Sequence, residues 1–208
     1  MMDEARAELA RMREAPEAWA ELRNDTVRRA KVLWALQYDR RPEDLALLRS
    51  LVEQEAACCR ESPGRGLGEE AELAGFLLAE HRRVEDVWRH WAIKQSNFDA
   101  GCAYDVQYLF AAGVETTLAF VRADTHPQRD ALLERLTEEA LTDEDVAEWA
   151  RVKGLNFPAD PAHEEPLTWV DRALSSGDRQ VAGELLRQWA AGPERDEETL
   201  RYYRGAGL

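Results

Sequence analysis

The sequence predicts an all-α protein. Apolar residues recur at helical spacing through almost every segment, no stretch alternates as a strand would, and proline and glycine breaks fall at helix-length intervals. Leu33 and Leu36, then Leu45, Leu48 and Val52, keep that spacing on either side of a break at Arg41-Pro42. Leu73, Leu77 and Leu78 repeat it, followed by Val84, Val87 and Trp91. Further breaks stand at Pro16, Ser62-Pro63-Gly64, Thr125-His126-Pro127, the Gly154 to Pro166 loop, Ser176-Gly177-Asp178 and Gly192-Pro193. They leave about nine or ten helices of ordinary length.

A length of 208 residues suits a single helical domain spanning 1–208. Its breaks outline sub-units at 1–62, 69–153 and 166–208, joined by linkers at 63–68 and 154–165. With 45% hydrophobic and 33% charged residues the chain reads as folded and soluble. The opening MMDEARAELARMRE has no basic region followed by an apolar one, and no apolar run reaches membrane-spanning length. The expected location is cytoplasmic, with no membrane partner. Three cysteines, Cys58, Cys59 and Cys102, show no zinc spacing and no bridging framework, so they are expected reduced and mostly buried.

The formal net charge of −14 would repel phosphate backbones, which argues against nucleic acid. The densest acidic face comprises Glu138, Glu139, Asp143, Glu144 and Asp145, within a block relieved only by Arg135. A solvated face is the simpler expectation, and a docking surface for a basic partner the sharper one.

Faint repetition runs through the chain. Arg40-Arg41-Pro42-Glu43-Asp44-Leu45 parallels Arg82-Arg83-Val84-Glu85-Asp86-Val87, each between two apolar helices. Gly113-Val114-Glu115-Thr116-Thr117-Leu118 and Gly177-Asp178-Arg179-Gln180-Val181 hold comparable turn-then-helix positions. Around Gly75, Leu78, Arg82, Val87, Trp88 and Trp91 the sequence resembles tetratricopeptide-like helical repeats, without that pattern's terminal proline. The resemblance implies an α-α superhelix, a right-handed stack of antiparallel helix pairs, whose concave face binds a protein or peptide. It implies no catalytic residues.

Several motifs invite chemistry and decline it. Gly64-Arg65-Gly66-Leu67-Gly68 resembles a phosphate cradle, yet it lacks a preceding strand or a following Lys-Ser/Thr, and Glu69-Glu70 would repel phosphate. It reads as a flexible linker. Among His81, His90, His126 and His163 no two stand three or four apart, so no metal site is expected. Asp86 and His90 are four apart and read as an ordinary surface pair. No cofactor is implied. Trp34, Trp88, Trp91, Trp149, Trp169 and Trp189 lie in helical segments beside aliphatic residues, where core packing is the expectation and an aromatic groove the alternative.

The stretch WAIKQSNFDAGCAYDVQY, residues 91–108, is the most informative. On a helix at about 100° per residue, Lys94 lies within about 20° of Val87 and so emerges from an apolar stripe. Asp99 is expected as a helix cap, or as the capping-box partner of Ser96. A helix over 100–113 would be apolar on two sides, with Asp105 and Gln107 its polar interior residues. Lys94 and Asp105 are therefore expected to pair, or to line a small polar pocket with Asn97, Asp99 and Gln107. The functions consistent with all this are a non-catalytic protein- or peptide-binding module, an acidic inhibitor of a basic effector, or a small enzyme or ligand-binding domain centred on Lys94 and Asp105.

Overall fold

The computed structural model describes residues 1–62, 64 and 66–208. The expected linker 63–68 thus lies partly outside the described residues, at Pro63 and Arg65. Among the described residues there is no strand, and no helix is long and apolar enough to cross a membrane.

The helices are α1 (Met2–Glu14), α2 (Thr26–Tyr38), α3 (Leu45–Glu61), α4 (Glu69–Ala79), α5 (Val87–Lys94), α6 (Phe98–Ala103), α7 (Val114–Ala123), α8 (Arg129–Glu138), α9 (Asp143–Asn156), α10 (Pro166–Ser175), α11 (Arg179–Ala190) and α12 (Glu197–Gly205). A nine-residue 3-10 segment, Pro16–Asn24, makes a thirteenth helical element, and shorter 3-10 turns precede α3, α5, α7 and α10. The count exceeds nine or ten because several apolar stretches that read as one helix are broken by turns.

Side-chain caps account for many of the helix starts. Asp25, Thr142, Asp178 and Asp196 each accept a hydrogen bond from the backbone N–H groups opening α2, α9, α11 and α12. Each satisfies a donor that the first helical turn leaves unpaired.

In space α1 lies against α2, α3 against α4 and α5, and α2 against α4. Further along, α7 packs on α8 and α10 on α11. Three apolar cores result. The largest is built from α1 to α4 and takes in Ile93, Tyr104, Tyr108 and Phe157; the second gathers side chains of α5 and α7 to α9; the third joins α10, α11 and α12. Trp34, Trp91 and Trp189 are buried in these cores, which is the packing role expected of them.

The paired segments at 40–45 and 82–87 adopt the same local structure. Each makes a 3-10 turn, Pro42–Asp44 or Val84–Asp86, closed by a 3.1 Å hydrogen bond from the aspartate N–H to the Arg41 or Arg83 carbonyl. Each aspartate is almost fully buried, Asp44 at 4% exposure and Asp86 at 1%. Each is gripped through both carboxylate oxygens by an arginine from an earlier helix: Arg13 of α1 at 2.8 and 2.7 Å, and Arg49 of α3 at 2.7 and 3.0 Å. A buried carboxylate needs such charge-assisted partners.

His90 is also buried, so the expected surface pair with Asp86 does not form. His90 Nδ1 instead meets the Tyr104 hydroxyl at 2.8 Å, and the His90, Tyr104 and Tyr108 rings stack. Gly75 makes room for this stack: a Cβ there would overlap the Tyr104 hydroxyl and stand 2.9 Å from its Cζ. Burial drives the His90 pKa down to about 3, so the imidazole is neutral.

Residues 154–165 are tied to the body of the protein. α9 continues through Gly154 to Asn156, and the Phe157 ring then packs on Phe76 at 5.5 Å. Gln37 Nε2 donates to the Pro158 carbonyl at 3.0 Å and to Glu164 at 2.7 Å. Tyr38 donates to Glu164 as well, and the buried Arg172 reaches Glu164 at 3.3 Å and Gln37 at 2.7 Å.

Candidate functional site

Lys94 is buried, as its place in the apolar stripe predicted, but its partner is not Asp105. Its ammonium donates to the carbonyls of Gly101 at 2.9 Å and Tyr104 at 2.7 Å. These belong to the C-terminal end of α6, where carbonyls lack helical partners and a cation complements the dipole. Burial, aided by the charge of Arg135, pushes the Lys94 pKa below its ordinary value.

The expected helix over 100–113 is interrupted. Tyr104 ends α6 in an extended conformation (ψ 116°), and a 3-10 turn, Val106–Phe110, follows Asp105. This break turns Asp105 toward α9, where it accepts from Trp149 Nε1 at 2.9 Å and pairs with Lys153 at 2.8 Å. Lys153 also reaches Glu72 at 3.0 Å. Burial disfavours the Lys153 charge, but the Asp105 and Glu72 hydrogen bonds outweigh it and its pKa rises.

The remaining residues of the expected pocket serve the chain itself. Asn97, rather than Ser96 or Asp99, caps α6: its side chain accepts from the Ala100 N–H at 2.8 Å and donates to the Cys59 carbonyl at 2.7 Å. Asp99 sits in the first turn of α6, and Gln107 is partly buried in the turn after Asp105. Lys94 and Asp105 thus answer to separate partners, and the five residues do not converge on one cavity. Of the cysteines, Cys59 is buried, Cys58 half-buried and Cys102 exposed; all are free thiols, and Cys102 departs from the expected burial.

Much of the acidic face is committed to structure. Glu138 and Glu139 pair with Arg135 at 3.2 and 2.7 Å. Asp143 accepts from the Val114 N–H at 2.7 Å and so caps α7 across space. Asp145 forms a capping box with Thr142, whose hydrogen bonds hold the Asp145 carboxyl below its ordinary pKa. Glu144 points to solvent.

What the sequence did not single out is the other end of the same helix. α9 packs inward through Val146, Trp149 and Lys153, with the Trp149 ring edge-on to Tyr108 at 4.6 Å. A separate stripe at spacings of three, four and three carries Asp145, Glu148, Val152 and Leu155. Val152 is 45% exposed and Leu155 68% exposed, two of the four large apolar side chains left in solvent among the described residues. The signal was present as an apolar pair continuing an acidic stripe. It was hidden because Gly154 reads as a helix end.

Comparison with known proteins finds no matching family model, no matching curated protein and no matching solved structure.

Proposed function

We propose that this protein is a non-catalytic interaction module that docks a protein segment combining basic and apolar side chains along α9. The observation that carries the reading is the exposure of Val152 and Leu155 in line with Asp145 and Glu148. Exposed apolar side chains on a folded surface mark contact sites when they stand together. Of the carboxylates beside them, Asp145 closes a capping box and Glu148 pairs with Arg151 at 2.7 Å, so it is the chain's net charge of −14 that favours a cationic partner and speeds its encounter. An acidic inhibitor of a basic effector is the special case in which that partner is a toxin or enzyme.

A helical-repeat architecture would agree with the same reading. We infer a short stack of antiparallel helix pairs, supported by the twin turns at 40–45 and 82–87 and by the contacts of α2 with α4 and α3 with α5. Such stacks present extended surfaces to partner chains. The enzyme reading centred on Lys94 and Asp105 draws no support, since those groups are engaged separately.

The test is capture from lysate by the full chain and by its Val152→Asp/Leu155→Asp variant, at low and high salt. The reading expects a protein held at low salt, weakened at high salt and lost from the variant. Capture of nothing, or capture indifferent to the double substitution, overturns it.

A further inference from the structure

A second site lies on a different part of the surface. The start of α2, the last turns of α3 and the start of α4 enclose a cleft of about 280 Å³, closed on one side by Ser175 at the end of α10. That is the scale of a small-metabolite pocket. Its floor is Arg29, 1% exposed, which holds Glu55 through Nε at 2.5 Å and donates Nη1 to the Leu22 and Arg23 carbonyls. Arg29 thus spends its charge on Glu55 and its Nη1 hydrogens on two carbonyls, while Nη2 has no hydrogen-bond partner among the described residues.

The carboxylates are better placed. Glu55 spends one oxygen, Oε1, on Arg29, and Glu70 lines the cleft without a cationic side-chain partner among the described residues. Burial, aided by the charge of Glu55, pushes the Glu70 carboxyl above its ordinary pKa, against a backbone hydrogen bond and the charges of Arg172 and Arg29. Val27 and Ala30 add an apolar wall, while Thr26, Ser62 and Ser175 add hydroxyls. Among the described residues no cluster of three or more potential ligands could hold a metal ion.

We propose that this cleft binds a small aliphatic amine as its ammonium ion, with Glu70 as the counter-ion, Glu55 as a further acceptor and the methylenes against Val27 and Ala30. An anion would meet two carboxylates and an arginine whose charge Glu55 already balances, and a neutral diol would bring Glu70 no counter-charge.

The test uses the full chain at physiological salt, where diffuse attraction between amines and an acidic protein is screened. Putrescine, butane-1,4-diol and succinate are titrated by calorimetry into wild type, Glu70→Gln and, as a control acid on α9, Glu144→Gln. Cys58 lines the cleft while Cys102 is exposed outside it, so their relative alkylation by iodoacetamide locates the ligand. The expected result is saturable binding of one putrescine and neither other probe, weakened about tenfold or more by Glu70→Gln and unchanged by Glu144→Gln. Bound putrescine should slow alkylation of Cys58 and leave Cys102 alone. Glu70→Gln keeps the size of the side chain and removes a partly buried charge, and should fold at least as stably as wild type. Absence of putrescine binding, preference for succinate, equal loss in both variants, or unprotected Cys58 each overturns the proposal.

Discussion

The two turns that open α3 and α5 are built alike, yet the cores beneath them differ. Superposing Asp44 on Asp86 by sequence sets Leu33 against Gly75 and Leu48 against His90. The first position of each pair is a buried leucine. In the second copy the glycine and histidine instead admit Tyr104, and a polar aromatic stack replaces aliphatic packing. The same backbone device therefore tolerates two chemistries of core, provided each is complete. An aliphatic core needs only volume, whereas the polar one also needs hydrogen-bond partners, as His90 Nδ1 finds in the Tyr104 hydroxyl and the Tyr108 hydroxyl finds in the Glu72 carbonyl.

The sharpest way to break this comparison is Gly75→Ala. In an ordinary exposed helix that change would gain helix propensity. Here it should destabilise by about 3–5 kcal/mol, the scale of displacing a buried aromatic side chain. Chemical denaturation checks it, and a variant as stable as wild type would mean that the Tyr104 stack is not formed as described.

Next in size are Asp44→Ala and Asp86→Ala, each expected to cost about 3 kcal/mol because an arginine loses a buried partner. The first should cost more. Asp44 also accepts the Arg41 N–H at 3.2 Å, and Arg13 is the more buried cation. After either loss the arginines keep a second carboxylate: Arg13 keeps Asp39 at 2.5 Å, Arg49 keeps Glu85 at 2.9 Å and Arg89 keeps Glu53 at 2.8 Å. Equal losses, measured by urea midpoints, would show that the Arg41 N–H and the deeper burial of Arg13 contribute nothing.

The smallest effect is a slope. His90 has a folded pKa of about 3, below the unfolded value near 6.5, so the unfolded chain binds the proton first as pH falls. Stability should therefore decline below about pH 6.5, approaching about 1.4 kcal/mol per pH unit from this residue alone. His90→Gln removes that term, while Leu48 in the first copy contributes none. The difference in slope between wild type and variant isolates it from the carboxylates, which both proteins share.

The helices were largely legible because burial imposes a 3.6-residue period on any amphipathic segment. The twin turns were legible too, since six residues repeat closely, although nothing local revealed that Asp44 and Asp86 are buried. That depends on Arg13 and Arg49, which arrive from helices 31 and 37 residues earlier. The burial of Lys94 was readable from its place on the stripe. Its partners were not, because periodicity alone could not show the chain breaking at Tyr104, and that break carries Asp105 to Trp149 and Lys153. Likewise Phe157 and Glu164 looked like loop residues because their contacts lie in α2, α4 and α10.

Those contacts have a consequence for how the protein comes apart. A linear stack in which each helix pair touches only its neighbours can fray from one end while the other persists. The bond from Gln37 to Glu164 spans 127 residues, and Arg172 fastens the same carboxylate from the last core. Loss of α10 would strip Glu164 of its cation beside α2, so the damage would register near the beginning of the chain. The tie makes α2 and α10 depend on each other across most of the chain, and such mutual dependence favours a single unfolding transition over gradual peeling.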